Sequence, residues 1–371
     1  MHRKTIYLIL VVLVITIAIV FLQSRKGVVD VAEISDNAEI ILSNLDTSEK
    51  SGLYDRAREI TQPTGLINSL PFELKDVIGK KVILLDIWTY SCINCQRTLP
   101  FITEWDEKYR DKGLLIVGIH SPEFEFEKKL ENVEAAVERF GIEYPVILDN
   151  DFGTWHAYRN QYWPRKYLID IDGFVVYDHI GEGGYVETET KIKELLAERA
   201  KKLGEKVNLT AELSDIIVPE AITDLAPRSP EVYFGALRNS TLGNGDPGML
   251  GGFELKAPNV FIRDIAYLVG SWNIFPEYAE NAVQDARIVY RYTGDKVFMV
   301  ARAENGAEIT ILQDGEPIGD AAGSDVDSEG QVQINEERLY KIIDNSGEVG
   351  EHTLEILIKD SGFHVFTFTF G

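Results

Sequence analysis

The chain has 371 residues, 45% of them hydrophobic and 26% charged, enough to bury the cores of two ordinary domains; disordered and collagen-like chains are excluded. Sixty acidic residues against 37 basic ones give a formal charge of −23, which argues against nucleic acid as a partner, because phosphate binding needs clustered positive charge. The two cysteines are Cys92 and Cys95, so a disulfide-stapled scaffold is excluded and a CxxC pair remains.

Residues 6–22 carry no charge and only the hydroxyls of Tyr7 and Thr16, so a helix there would cross most of a hydrocarbon layer about 30 Å thick. His2, Arg3 and Lys4 before it and Arg25 and Lys26 after it nearly balance, and a short tail left inside is the simpler topology. A cleaved signal peptide is the alternative, but Phe21-Leu22-Gln23-Ser24-Arg25-Lys26 lacks a small-x-small cleavage site. The expectation is a membrane anchor over residues 1–26 that holds the rest of the chain outside the cytoplasm at the cell membrane as a single-pass protein. Residues 27–62 are polar and acidic and read as a tether.

Over residues 63–205 apolar runs of strand length alternate with helical patterns. Strands are expected at 82–88, 114–119, 144–148, 166–169 and 173–177, with helices over Cys95 to Tyr109, Glu125 to Phe140 and Glu187 to Lys202. The order is that of an α/β domain, finished by an antiparallel hairpin at the turn Asp170-Ile171-Asp172-Gly173. Residues 206–229, carrying Pro219 and Pro227, form a linker. From 230 to 371 the apolar period is two: Ala286, Ile288, Tyr290 and Tyr292; Val297, Met299 and Ala301; Ile309 and Ile311; Leu354, Ile356 and Ile358; Phe366, Phe368 and Phe370, each set expected on one strand face. Many short strands with Gly and Asp turns indicate an all-β sandwich or jelly roll.

Cys92-Ile93-Asn94-Cys95 follows a buried strand and opens a helix. The first sulfur then lies at the positive end of the helix dipole, which favours its thiolate and lowers its pKa relative to that of Cys95. The second, one turn along, is placed to resolve a mixed disulfide. An inert pair or half a zinc site are the bland readings; zinc wants four ligands and no second cysteine pair exists, and neither metal nor cofactor is expected.

These surroundings resemble the thioredoxin fold, and more narrowly the thioredoxin-like domain of DipZ-type proteins. Asp86 lies six residues before Cys92, Trp88 two after that acid, Pro100 eight after Cys92, and Trp163-Pro164 precedes a strand; the strings WTYSCINC, YPVILDND, YWPRKYLIDIDG and HIGEGGY extend the likeness over about residues 64–200. The resemblance implies Cys92 as nucleophile, Cys95 as resolving thiol, Asp86 as proton acceptor for Cys95, and a cis-proline at Pro164 that shapes the substrate groove. Trp88 and Trp163 are expected as substrate contacts flanking it. Ile93-Asn94 replaces the Gly-Pro of thioredoxin and Ser91 a tryptophan, so the potential and the direction of electron flow stay open. Thr98 stands where cytochrome-maturation relatives of the TlpA and ResA type keep a glutamate, which argues against that role.

The implied function is thiol–disulfide exchange on protein substrates outside the cytoplasm. DipZ-type proteins carry a multi-helix electron-conducting domain, so with one apolar span here the electrons would come from a separate membrane partner. Two rivals are a glycan- or partner-binding protein with a vestigial redox pair, and a thiol peroxidase. Residues 230–371 also resemble the DipZ C-terminal sandwich, whose architecture is like carbohydrate-binding modules; Trp272, Phe275 and Tyr278 are a stacking platform for a glycan or, the better reading, core. His120 and Glu123 fall where the carboxyl ends of parallel strands gather, and His179 and Glu182 near a hairpin end; a packed or surface histidine is the preferred reading of each. Asn208 and Asn239 begin glycosylation sequons.

Overall fold

The computed structural model describes residues 47–210, 212–216 and 228–371. The expected membrane anchor lies outside the described residues, among which no helix is long and apolar enough to cross a membrane. Helix α1, Thr47–Leu53, belongs to a unit that ends at Asp55. The second unit is Arg56–Gly371.

The first part of this unit is a thioredoxin fold. Its elements are β1 (Gly65–Ile67), α2 (Leu74–Val77), β2 (Val82–Trp88), α3 (Ile93–Tyr109), β3 (Leu114–His120), α4 (Leu130–Arg139), β4 (Val146–Leu148), α5 (Gly153–Ala157), β5 (Arg165–Ile169), β6 (Val175–Ile180) and α6 (Tyr185–Leu203). The six strands lie in the order β1-β4-β3-β2-β5-β6. Strands β2, β3 and β4 are parallel, and β5 and β6 add the expected antiparallel hairpin. All seven residues of β2 are buried, as an unbroken apolar run requires of a central strand covered on both faces. Val82, Leu84 and Trp88 share a core with α3 and α6, and Ile83, Leu85 and Ile87 face Leu74 of α2 and Trp155 of α5. The single helix expected over Glu125 to Phe140 is divided, because a 3-10 turn at Glu125–Lys128 precedes α4.

The second part is all β: β7 (Val232–Tyr233), β8 (Gly251–Leu255), β9 (Ala266–Ile274), β10 (Ala279–Asn281), β11 (Ala286–Gly294), β12 (Lys296–Ala303), β13 (Ala307–Gln313), β14 (Glu316–Pro317), β15 (Gln331–Ile334), β16 (Arg338–Asp344), β17 (Gly350–Ile358) and β18 (Phe363–Phe370). Its 12 strands make one curled sheet. The long strand β9 joins the halves, pairing with β11 through Ala266 to Val269 and with β8 from Gly270 onward. Gly270 at that junction has φ +103°, a conformation L side chains resist. The period-two sets on β11, β12, β13 and β17 all enter one core, and Trp272, fully buried in it, is core and not part of a stacking platform.

The set on β18 does not hold one face. A bulge in the pairing with β12 opposes Val300 to Thr367 and Ala301 to Val365, leaving Phe366 as the extra residue. Phe368 and Phe370 stay in the β core, whereas Phe366 joins the thioredoxin core and meets Phe124 and Phe126 edge-on at 5.0 and 4.9 Å. Around it, Phe298, Val300 and Leu339 enter the same cluster, and Glu337 accepts from Lys129, Asn132 and Arg302 at 2.8, 2.6 and 2.9 Å. The two parts therefore share a core. Phe366→Ala removes its central ring and should cost about 3 kcal/mol in chemical denaturation; a change within about 0.5 kcal/mol, the range of an ordinary surface substitution, would contradict a shared core.

Candidate active site

The strand-to-helix corner after β2 sets the cysteines. Cys92 is the N-cap of α3, in extended conformation at φ −80° and ψ 119°, and its carbonyl already accepts from Gln96 N at 3.0 Å. Its side chain, partly exposed, stands among the free N–H groups of the first turn. Ser91 is held from below: Glu127, fully buried, accepts from Ser91 N at 3.2 Å and Ser91 Oγ at 2.7 Å, and with its other oxygen from the N–H groups of Glu123 and Phe124. One buried carboxylate thus ties the loop before Cys92 to the loop after β3. In the sequence it falls in the helix expected over Glu125 to Phe140, and no local signal marks it.

Cys95 is 1% exposed and packs with Trp105 and Leu99. Burial, with a hydrogen bond to Cys92, pushes its thiol well above the ordinary range. Beneath lies Asp86, also 1% exposed, whose Oδ1 makes no hydrogen bond among the described residues. Desolvation raises its carboxyl to about 7, against the pull of Lys166. Lys166 of β5 stands directly opposite Asp86 of β2 and is itself fully buried, with Nζ donating to Gly181 O at 3.3 Å. Burial lowers its ammonium to about 8, opposed by the charges of Asp86 and Cys95. An acid and a base that both titrate near neutrality therefore sit under the second thiol. Lys166 was not foreseen.

The bond Trp163–Pro164 is cis. Trp163 is partly exposed, donates from Nε1 to Ser121 O at 2.9 Å, and lines a cavity with Cys92. Trp88 differs from expectation. It is 0% exposed, edge-on to His120 at 5.2 Å, and Gly118 lies so near that a Cβ there would come within 2.9 Å of its Nε1, so it is core rather than a substrate contact. His120 is buried between Trp88 and the Tyr90 ring, and desolvation lowers it to about 3. His179 meets Glu182 O at 3.2 Å, while the Glu182 side chain pairs with Arg97 at 3.3 Å. Thr98 is buried, bonded to Asn94 O at 2.9 Å. Of the two sequons, Asn239 is buried and accepts from Gly248 N, which leaves Asn208 as the exposed one.

Glu123 does reach the site. It lines the cavity at Cys92 and accepts from Arg238 at 2.6 Å and Tyr233 at 2.9 Å, both from the β domain. The Tyr233 hydroxyl also lies 2.7 Å from Glu231, whose carboxyl is raised by burial and then by the charge of Glu123. Both carboxylates stand as acceptors to the Tyr233 hydroxyl, whose one proton serves one of them at a time. Among the described residues one acid cluster, Asp170, Asp172 and Glu198, has metal-like spacing, and Lys202 already pairs with two of its members.

Residues 55–196 match the redoxin family, and residues 229–371 match a family described as thioredoxin like C-terminal domain. Protein DipZ of Mycobacterium bovis is 34% identical over 311 residues, which is 83% of this chain and 42% of that protein. Thiol-disulfide oxidoreductase ResA of Bacillus thuringiensis is 32% identical over 123 residues, 33% of this chain and 68% of ResA. The chain belongs to the thioredoxin-like thiol–disulfide oxidoreductase family. Thiol-disulfide oxidoreductase YkuV of Bacillus subtilis, 28% identical over 33% of this chain and 83% of its own, is a further member. Within this family the chain matches DipZ across both domains yet spans less than half of DipZ's length.

The Asp86 carboxyl is raised in the folded chain above the usual value near 3.8, so the native state holds its proton more tightly than the unfolded state. That contribution to stability is full below pH 4 and is lost as pH rises toward 7. Asp86→Asn should therefore stabilise the protein by about 1–3 kcal/mol at pH 8, with the gain shrinking toward pH 5; three pKa units set a ceiling of about 4 kcal/mol, and Lys166 loses its countercharge. Denaturation midpoints of both forms across that range check it, and a gain independent of pH would contradict the assignment.

Proposed function

We propose that the chain is a membrane-anchored, extracytoplasmic thiol–disulfide oxidoreductase that exchanges its Cys92 and Cys95 thiols with the cysteines of protein substrates. One observation carries the reading: Cys92 caps α3 and opens into a cavity, while Cys95 is sealed one turn below it above Asp86. The pairing of an accessible sulfur with a buried one suits attack and resolution. The likeness to DipZ, ResA and YkuV supports the same chemistry, and the apolar segment at 6–22 supports the anchor. In this reading the thioredoxin-like domain runs over 63–205, a sandwich-type domain over 230–371, and a separate membrane protein supplies electrons.

Cys92 thiolate attacks one sulfur of the substrate disulfide; that S–S bond breaks, and the departing thiolate takes from solvent the proton that Cys92 had released. Cys95 passes its proton to the Asp86 carboxylate and attacks the Cys92 sulfur; the bond between Cys92 and the substrate sulfur breaks, and the second substrate thiolate leaves with the proton returned by Asp86. Two electrons have moved from two protein thiols to the substrate, and the protein holds a Cys92–Cys95 disulfide. Burial makes Asp86 basic enough to take that proton near neutral pH, and the opposing charge of Lys166 keeps it from staying protonated at every physiological pH. Trp163 and Pro164 form the flank on which substrate lies; Trp88 acts only as packing.

Cys95→Ser should accumulate a one-to-one mixed disulfide through Cys92, visible by mass spectrometry without reductant. Cys92→Ser should form none and lose at least about a hundredfold in disulfide reduction. Retained turnover in Cys92→Ser would reject the redox reading.

A further inference from the structure

We propose that the β domain forms the outer wall of the substrate cleft at Cys92, so that this sulfur reacts with cysteines on extended, flexible polypeptide segments and not with disulfides set in a folded surface. The proposal rests on the redox reading above and names its substrate class.

Three observations carry it. The cavity into which Cys92 opens is about 300 Å³, at the small end of ligand sites, and it has two sides: a floor of Ser91 to Asn94, Glu123 and Trp163, and a wall from residues 228–238 and from β12 and β18. The wall is fixed. Phe366 packs edge-on against both Phe124 and Phe126, Glu337 gathers Lys129 and Asn132, and the Tyr90 hydroxyl donates to Glu337 O at 3.1 Å. Finally, Glu123 on the floor is clamped by Arg238 and Tyr233 of the wall, with the Arg238 guanidinium lying 3.6 Å over the Tyr233 ring, so a polar latch closes directly over the loop beside the nucleophile.

A folded partner docks through roughly 800 Å² of surface on each side. Among the described residues the β domain occupies the ground on one side of Cys92, which narrows the face left to a folded partner. An extended segment needs only a slot as deep as one or two residues, and it brings backbone N–H and C=O groups that can bond to polar groups along such a slot. Specificity would then come from the accessibility of the substrate chain rather than from a matching surface. Floor and wall come from different domains, residues 91–163 and 228–370, so neither domain alone makes the slot.

The test uses the full chain, pre-reduced and freed of reductant, in single turnover against two probes: a disulfide-linked pair of unstructured decapeptides, and a folded domain with a solvent-exposed disulfide. Each rate is divided by that of dithiothreitol with the same probe, which removes the probes' own reactivity. The wild type should favour the peptide probe by at least tenfold. Arg238→Ala, which opens the latch, should lower that ratio at least threefold. A wild-type ratio near one, or a preference that Arg238→Ala leaves unchanged, overturns the wall. A wild type that reduces neither probe overturns the redox reading and the proposal with it, whereas one that reduces both equally well leaves the redox reading standing and removes only the wall.

Discussion

The site depends on one constraint: an acid and an amine are buried together beneath the second cysteine. Asp86 and Lys166 face each other across adjacent strands, both sealed by α3 and the sheet. In that medium each charge is costly, so the acid is pushed up and the amine down until both titrate within reach of neutral pH. The same burial raises the Cys95 thiol, which therefore needs a base at hand before it can attack. Asp86 is the group in position. Stability is given up for this arrangement, since a carboxylate at that depth is unfavourable whenever it ionises.

What surrounds the pair follows from the need to present one sulfur and hide the other. The helix start exposes Cys92, the Glu127 carboxylate fixes the loop ahead of it, and the Trp88 and His120 rings fill the space behind. The β domain then adds a second layer through a shared apolar cluster and the Glu337 and Glu123 contacts. A two-domain chain in this way makes a cleft where a lone thioredoxin fold would present an open face.

Much of this was legible in sequence where the signal is local. The unbroken apolar run of β2 marked a central strand, the CxxC after it marked a helix start, and the alternation on β11, β12, β13 and β17 marked one core-facing side for each strand. Asp86 and Trp163-Pro164 were found by resemblance. The misses share a cause, which is that their meaning depends on partners far along the chain. Lys166 reads as an ordinary charged strand residue until register sets it opposite Asp86. Glu127 lies in a charged stretch, and only the bend that divides the expected helix turns it inward. Phe366 fits a perfect alternation that one bulge breaks. Trp88 was expected at the substrate surface, and the closeness of Gly118 is what lets it sink into the core instead.

The central claim is that Asp86 takes the Cys95 proton. It is tested most directly by loading Cys92 with a chromophoric thiol as a mixed disulfide and following the release of that thiol by Cys95 from pH 5 to 9. The account predicts a release rate that rises with a midpoint near 7 in the wild type. In Asp86→Asn it predicts a rate at pH 7 lower by about a hundredfold, with the rise displaced to higher pH. Superimposable profiles for the two proteins would contradict it.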